Sequence, residues 1–168
     1  MICRTIVHMR KRIVDSGAVQ TIGGQNAGWL NLSEMATVEV TSEQEGFPIE
    51  AVFDGGGGSG WRASQAGEQL IRIIFDGPVA VSRIRLRFEE PNLGRTQEFT
   101  LSWCPPSGGC HEIVRQQWNF SPAGSTTEIE DYAVELDAAA ALELKIQPDI
   151  ARKDAIATLA LWQVAGRA

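Results

Sequence analysis

The sequence predicts an all-β protein, a jelly-roll β-sandwich of about eight antiparallel strands. The clearest observation is the segment Arg83–Phe88, where arginine and apolar residues alternate, as in a strand with one face in the core and one in water. Similar short runs recur along the chain, separated by turn residues about every 8–12 positions. No segment has the apolar spacing of a convincing long helix.

The best-patterned part of the chain is Glu68–Phe88. Its first half, Leu70–Phe75, is apolar except for Arg72, which is typical of a strand covered on both faces. The segment Asp76–Pro78 has turn chemistry, because glycine permits positive φ and proline ends a hydrogen-bonded ladder. We therefore predict two strands joined by a turn, one strand covered and the other half in water.

Alternation elsewhere predicts further strands at residues 36–41, 97–103, 111–116, 128–136, 142–146 and 156–164. Pro48 favours one helical turn within residues 47–53. The sequence CPPSGGC at Cys104–Cys110 is typical of a hairpin loop, and Gln117–Thr126 is predicted to be a loop. We divide the chain into an N-terminal extension, residues 1–35, that packs on the domain edge, and one β-sandwich domain, residues 36–168.

Charge and composition limit the partners. A chain of 168 residues suits one domain with an adequate core. The formal net charge of −6 argues against nucleic acid and anionic membrane as partners, since both require a basic surface. No apolar run reaches the length of about 18 residues that a membrane-spanning helix needs.

The N-terminal segment indicates a cytoplasmic protein. The basic residues Arg10–Arg12 follow a short apolar run, whereas a secretory signal places its charges before a long one. An amphipathic membrane anchor is the alternative interpretation. Either Met1 or Met9 can be the start of the protein.

The three cysteines are Cys3, Cys104 and Cys110. An odd number in a cytoplasmic chain favours reduced thiols. Cys104 and Cys110 flank the predicted hairpin loop, so a disulfide across its base is the alternative.

The order of motifs resembles the discoidin-like family, which comprises coagulation-factor type C domains and galactose-binding-like carbohydrate-binding modules. The resemblance covers residues 36–166 and is carried, in order, by FDGGGGSGWRAS, LIRIIF, VSRIRLRF, RTQEFTLSWCPPSGGCHEIV and ALWQVAG. It implies a galactose-binding-domain-like sandwich with binding loops at one end. It also implies non-catalytic binding of sugars, lipid head groups or proteins.

The resemblance further implies a structural calcium ion beside the Asp-Gly loop, with Asp54 and Ser59 as candidate ligands. Four glycines, Gly55–Gly58, stand where the family carries oxygen-bearing side chains. Leu161 or Trp162 stands where the family's closing strand supplies a glutamate. Calcium requires about six to eight oxygen ligands. We therefore expect no cofactor, with calcium at Asp54 as the one exception to test.

Catalytic motifs are missing from the sequence. The two histidines, His8 and His111, have no GxSxG serine to accompany them. Glu89 and Glu90 are neighbours on a predicted strand and so point to opposite faces. The glycine run at 55–58 lacks the Lys-Ser/Thr of a phosphate-binding loop. We predict that the protein is not an enzyme.

Binding chemistry is better represented. Sugar recognition uses an aromatic face for the ring and planar donor groups for the hydroxyls. The candidate ligand-binding residues are Trp61, Arg62, Arg95, Trp118 and Asn119, of which Arg95 is suggested by the resemblance. For Trp61 and Trp118 the alternative interpretation is burial in the core.

The arginine stripe of Arg83, Arg85 and Arg87 is interpreted as a solvated sheet face. Its expected ion-pair partners on neighbouring strands are Glu128, Glu130 or Glu143. An anionic ligand or an acidic partner is the alternative interpretation.

The sequence thus predicts a non-catalytic module that binds carbohydrate weakly through loops at one end of the sandwich. The alternative is an intracellular protein–protein interaction or homo-oligomerisation module. The sequence leaves the ligand and the oligomeric state open.

Overall fold

The computed structural model describes residues 9–13, 28–55 and 58–166. The strands are β1 Arg10–Ile13, β2 Gly28–Trp29, β3 Ala36–Val40, β4 Trp61–Ala66, β5 Gln69–Glu89, β6 Arg95–Cys104, β7 His111–Phe120, β8 Thr127–Gln147, β9 Ile156–Leu159 and β10 Leu161–Gly166. One helical turn, α1, spans Leu32–Met35, and a 3-10 turn spans Ile49–Val52. The predicted all-β class and the predicted turn after Pro48 are confirmed. The choice of Met1 as the start concerns residues outside those described.

Strand β5 is continuous over 21 residues, so the predicted turn at Asp76–Pro78 is wrong. Its first half pairs with β3 and with the second half of β8, whereas its second half pairs with β10 and with the first half of β8. The register shifts between Ile74 and Val79, where the glycine and proline lie. Both residue types are tolerated at such bulges, where the ladder is interrupted. At this bulge β5 exchanges its neighbour β3 for β10 on one edge, while β8 stays paired with it on the other.

Strand β8 accompanies β5 over 21 residues, so the two strands predicted at 128–136 and 142–146 are one. The predicted closing strand, in contrast, is two strands that break at Ala160. The Ala160 N–H donates to the carbonyl of Arg87 over 2.9 Å, and β9 pairs with β4 while β10 pairs with β5. Strand β7 extends to Phe120, so the first residues of the predicted loop 117–126 belong to a strand.

The buried apolar side chains form one core cluster, to which both halves of β5 contribute. Ile84, Leu86 and Phe88 of β5 are buried, as the alternation predicts. Phe88 stacks on Phe99 of β6 with 5.1 Å between ring centroids, which joins the second half of β5 to β6. Trp162 of β10 is fully buried and contacts Phe53, at 6.3 Å.

The described parts of the N-terminal region lie against the sandwich. Strand β1 pairs in parallel with β3, and Leu30 donates its N–H to the carbonyl of Val164 over 2.8 Å. Leu32 and Met35 are buried in the core. The division of the chain at residue 35 stays a prediction. None of the helices in the described ranges is long and apolar enough to span a bilayer.

Two details differ from the sequence predictions. Arg83 and Arg85 form ion pairs with Asp131, at 2.7 and 2.9 Å, rather than with the glutamates that we expected. Asp131 lies directly opposite Arg85 in the β5–β8 register, which explains the choice. Cys104 and Cys110 form a disulfide across the β6–β7 loop, so the favoured prediction of free thiols does not match the structure.

Candidate functional site

A cleft of about 520 Å³ opens among loops at one end of the sandwich. Its walls come from three connections: the segment before β4, the β5–β6 loop, and the segment that leads into β9 and β10. The lining residues with polar or large side chains are Phe47, Ser59, Trp61, Arg62, Glu89, Glu90, Asn92, Leu93, Arg95, Asp154, Ile156, Thr158 and Leu159. We call this the end cleft. It brings together three of the five predicted ligand-binding residues.

Gly60 fixes the wall that carries Trp61 and Arg62. It has a φ of +72°, a conformation that side-chain-bearing residues rarely adopt, and a Cβ at this position would lie 2.5 Å from the carbonyl oxygen of Leu159. Only glycine allows this close approach, which seats the start of β4 against β9. Arg62 is exposed at that point, beside the mouth of the cleft.

Trp61 does not offer a platform to a ligand. The side chain is only 1% exposed, and its Nε1 donates to the backbone carbonyl of Ser42 over 3.1 Å. The indole therefore belongs to the core beneath the cleft. The prediction that Trp61 stacks on a sugar is corrected by this burial.

Arg95 lines the cleft but is mostly committed to the protein. Its Nε lies 2.9 Å from a carboxylate oxygen of Glu90, and its Nη1 donates to Gln97 Oε1 at 3.1 Å and to the Pro148 carbonyl at 2.6 Å. The guanidinium also covers the ring of Phe120, 4.8 Å from its centroid. Arg95 thus ties the β5–β6 loop to the segment after β8. Its first role is to hold the walls of the cleft in place.

Trp118 and Asn119 lie outside the end cleft. Both are in strand β7, where Trp118 is half-buried and packs against the core. Asn119 faces outward, and its Oδ1 accepts a hydrogen bond from the Thr96 hydroxyl at 2.7 Å. The prediction placed them on a loop, because the alternation of β7 was followed only to residue 116. Their position on a strand removes them from the group of converging side chains.

Leu93 and Asp154, two exposed residues of the cleft, were not predicted from the sequence. Leu93 is 57% exposed in the β5–β6 loop, and Asp154 is exposed before β9. Neither lies in a periodic segment, so neither had a pattern to mark it. The only available signal was the tendency of loops at one end of such a sandwich to carry function.

The side chains near Asp54 do not make up the donor set of a calcium site. Asp54 is exposed, and it belongs to no group of three or more metal-ligating side chains within the described ranges. The closing strand places the buried Trp162 against Phe53, where a carboxylate would be needed. Indole carbon and N–H groups do not coordinate calcium, which takes oxygen ligands. We derive no role for an ion here.

A buried carboxyl group lies behind Arg95. Glu128 is fully buried on the inner face of β8, and its Oε2 accepts a hydrogen bond from Gln97 Nε2 at 3.4 Å. Burial and, after it, the neighbouring Glu130 carboxyl raise the pKa of Glu128 to about 8, against the opposing effects of Gln97 and Arg95. Tyr132 donates to Glu130 Oε2 at 2.9 Å.

Glu128 and Glu130 do not form an accessible acid/base pair. Glu128 Oε2 accepts from Gln97, and Glu128 Oε1 is buried without a hydrogen-bond partner, whereas a glycosidase needs both carboxyl groups to reach the substrate. Glu128 is also fully buried and is not part of the lining of the end cleft. We assign the pair a structural role.

Comparison with known proteins gives matches at the level of fold. No family model matches the chain, and no curated protein matches it in sequence. Solved structures do match, among them the family 32 carbohydrate-binding module of Clostridium perfringens NanJ in complex with galactose. The identity is 17%, the TM-score 0.63, and the match covers 83% of this chain and 98% of that one.

Two further structures have the same fold. One is the CpGH89CBM32-4 module of Clostridium perfringens in complex with GlcNAc-α-1,4-galactose, with 18% identity, a TM-score of 0.60, and coverage of 84% of this chain and 96% of that one. The other is a pectin-binding carbohydrate-binding module, with 14% identity, a TM-score of 0.56, and coverage of 80% and 91%. Family 32 modules are discoidin-like, galactose-binding-like sandwiches, so the fold implied by the resemblance is confirmed.

Proposed function

We propose that this protein is a non-catalytic carbohydrate-binding module whose ligand occupies the end cleft. The observation that carries the proposal is the convergence of exposed Arg62, exposed Leu93 and exposed Asp154 on one cleft of about 520 Å³. Small-molecule sites have volumes of about 300–1,000 Å³. The same fold was solved with galactose and with a galactose-containing disaccharide in the NanJ and CpGH89 modules.

The cleft has contacts for both kinds of surface that a sugar presents, the apolar C–H groups and the polar hydroxyl groups. Leu93 and Ile156 supply apolar contact for the C–H groups of a ring. Arg62 supplies a planar fork of donors, and Asp154 supplies acceptors, for the hydroxyl groups. Because the apolar contact is aliphatic, we expect weak binding, with a Kd of about 1 mM for a monosaccharide.

The acids in the cleft support binding rather than hydrolysis. Glu90 is paired with Arg95 at 2.9 Å, and Glu89 is paired with Arg87 at 3.1 Å. A catalytic carboxyl group must be free to reach the substrate, and these two are already held by arginine side chains. The cleft therefore lacks a second free carboxyl group to work with Asp154 among its described residues.

The test of the proposal is a glycan array followed by calorimetry with the best ligand. We expect Arg62→Ala to weaken binding at least about fivefold, since a charge-assisted hydrogen bond is lost. The matched control is Arg115→Ala, which removes an exposed arginine from β7, outside the cleft. It should leave the affinity unchanged.

An array with no glycan bound by the wild-type protein would remove the proposal. Equal losses of affinity in Arg62→Ala and Arg115→Ala would contradict the placement of the ligand in the end cleft.

A further inference from the structure

We infer that Cys104, Cys110 and Glu143 form a zinc-binding site once a thiol reductant has opened the disulfide, with a solvent molecule as the fourth ligand. The site lies at the base of the β6–β7 hairpin, beside strand β8. It borders a hollow whose lining shares no residue with the end cleft. The inference is therefore independent of the proposed carbohydrate binding.

The pairing of β6 with β8 brings the three side chains together. Glu143 lies opposite Ser102, two residues before Cys104, so Glu143 and Cys104 are on the same face of the sheet. The disulfide holds Cys110 beside Cys104. One ligand atom from each of the three residues lies within 4.8 Å of the other two. The fold thus gathers two sulfur ligands and one oxygen ligand at one point of the surface.

The distances suit a tetrahedral zinc ion. Zn–S bonds of about 2.3 Å and a Zn–O bond of about 2.1 Å place a sulfur and an oxygen ligand about 3.6 Å apart. The Sγ of Cys110 already lies 3.7 Å from Oε1 of Glu143. The two sulfurs must separate to about 3.8 Å around zinc, which breaking their bond permits. Gly108 and Gly109 in the connecting loop have open space around them, so the loop has room to adjust.

The site is open to solvent, and its carboxylate is held in place. Cys110 is exposed, and the three ligand residues border the hollow, which has a volume of about 470 Å³. Arg72 lies 2.6 Å from Oε1 of Glu143, an ion pair that orients the carboxylate and leaves it with further lone pairs. The guanidinium repels a cation, but two thiolates and one carboxylate outweigh that single charge.

Metal binding requires reduction first. Two electrons from a thiol reductant break the Sγ–Sγ bond, each sulfur takes up a proton, and the reductant becomes a disulfide. Zinc then displaces both thiol protons to solvent and accepts a lone pair from each sulfur. Thiolate ligands select zinc over magnesium and calcium, which prefer oxygen. The disulfide and the zinc complex are thus two alternative states of the same two cysteines.

The test is a titration with cobalt(II), which occupies zinc sites and reports its ligands by absorption. A Cys3→Ser background leaves Cys104 and Cys110 as the two thiols that respond, and the protein is reduced with dithiothreitol and desalted under nitrogen. We expect one cobalt ion per chain, with sulfur-to-metal charge-transfer absorption and the strong visible bands of a tetrahedral ion. Zinc should displace it with a Kd of about 1 µM or lower. The disulfide-bonded protein should show neither absorption.

Two variants assign the ligands. Cys104→Ser/Cys110→Ser should lose the charge-transfer absorption. Glu143→Gln keeps the shape of the side chain and removes its charge, and it should weaken the cobalt affinity at least about tenfold. Glu112→Gln, at an exposed acid near Cys110 that is outside the group of three ligands, is the matched control and should keep the wild-type affinity. Zinc should also raise the Tm of the reduced protein and leave that of the disulfide-bonded protein unchanged.

A reduced protein without charge-transfer absorption would overturn the inference, as would absorption that persists in the double serine variant. Equal cobalt affinity in Glu143→Gln and the wild-type protein would show that the carboxylate is not a ligand and would overturn the site as described.

Discussion

At the scale of single residues, Arg95 shows that a side chain predicted to bind a ligand can instead bind other parts of the protein. Its guanidinium is shared among Glu90, Gln97 and the carbonyl of Pro148, and it lies over Phe120. A buried arginine left without these partners would be costly, since an unpaired charge is poorly tolerated in the interior. Arg62, by contrast, keeps its donors available because it is exposed.

The buried carboxyl of Glu128 gives the protein a measurable pH dependence. Its pKa is about 8 in the folded state and near 4.5 when unfolded, so the folded state holds the proton more tightly. The contribution to the free energy of unfolding is therefore full below about pH 4.5 and is lost as the pH rises to about 8. The slope is at most about 1.4 kcal/mol per pH unit. Glu130, Tyr132 and Arg95 are the charged or titratable groups that influence it.

The measurement is urea unfolding of wild-type protein and Glu128→Gln between pH 5 and 9, a range chosen around the pKa of about 8. We expect the wild-type free energy of unfolding to fall from pH 5 to about pH 8 and then to level off, and the variant to lose that fall, because glutamine cannot ionise. Glu135→Gln, an exposed acid on the same strand, should behave like wild type. A Glu128→Gln variant with the wild-type slope would contradict the prediction.

Residue-level prediction from sequence succeeded where burial follows alternation. Ile84, Leu86 and Phe88 are buried as predicted, because a period of two leaves no other arrangement for a strand on a core. Arg62 and Arg95 were predicted and do reach the cleft. Leu93 and Asp154 were not predicted, since only the arrangement of loops in space brings them together.

At the scale of elements, the sequence prediction is wrong where a strand continues past the residue at which it was expected to end. Asp76–Pro78 has the composition of a turn, yet the same residues also suit a bulge, and composition alone does not separate the two. Strand β7 contains a signal that a longer window would have found: Gln116, Trp118 and Phe120 keep the inward alternation that begins at Val114. Trp118 and Asn119 were placed on a loop because that signal was not followed to its end.

The disulfide of the β6–β7 hairpin carries a prediction at this scale. Cys104 and Cys110 close a short loop between paired strands, with 6 residues of sequence separation. Loop closure of this size stabilises by about 2 kcal/mol in the chain-entropy estimate. We expect the Cys104→Ser/Cys110→Ser double variant to have a lower Tm in thermal unfolding, and a reductant to lower the wild-type Tm towards it.

Alkylation before and after reduction, followed by intact mass measurement, gives the number of free thiols. Two additional alkylated thiols after reduction would agree with the disulfide. Full alkylation of all three cysteines without reduction would show that the bond is not formed in the isolated protein. The cytoplasmic location that favoured free thiols stays a prediction.

At the scale of the whole molecule, stability should not depend on calcium. A ligand that binds only the folded state raises the free energy of unfolding by mass action, so removal of a structural ion would lower the Tm. Asp54 stands apart from any described group of metal-ligating side chains, and Trp162 fills the place of a carboxylate. We expect EDTA and added calcium chloride to leave the Tm within about 1 °C of each other, as measured by scanning calorimetry.

A Tm that falls by several degrees in EDTA and recovers with calcium would contradict this expectation. Recovery with magnesium alone would point to a smaller, octahedral site instead.

The continuous pairing of β5 with β8 has a consequence for how the chain reaches its native state. The ladder between them joins Gln69 to Ile146 at one end and Glu89 to Thr127 at the other, so its contacts are distant in sequence. Such non-local pairing makes folding slow, because the entropy of a long loop is lost before many contacts form. Since this one ladder carries β3 and β10 along β5 and β6 along β8, we expect these strands to assemble in a single cooperative step.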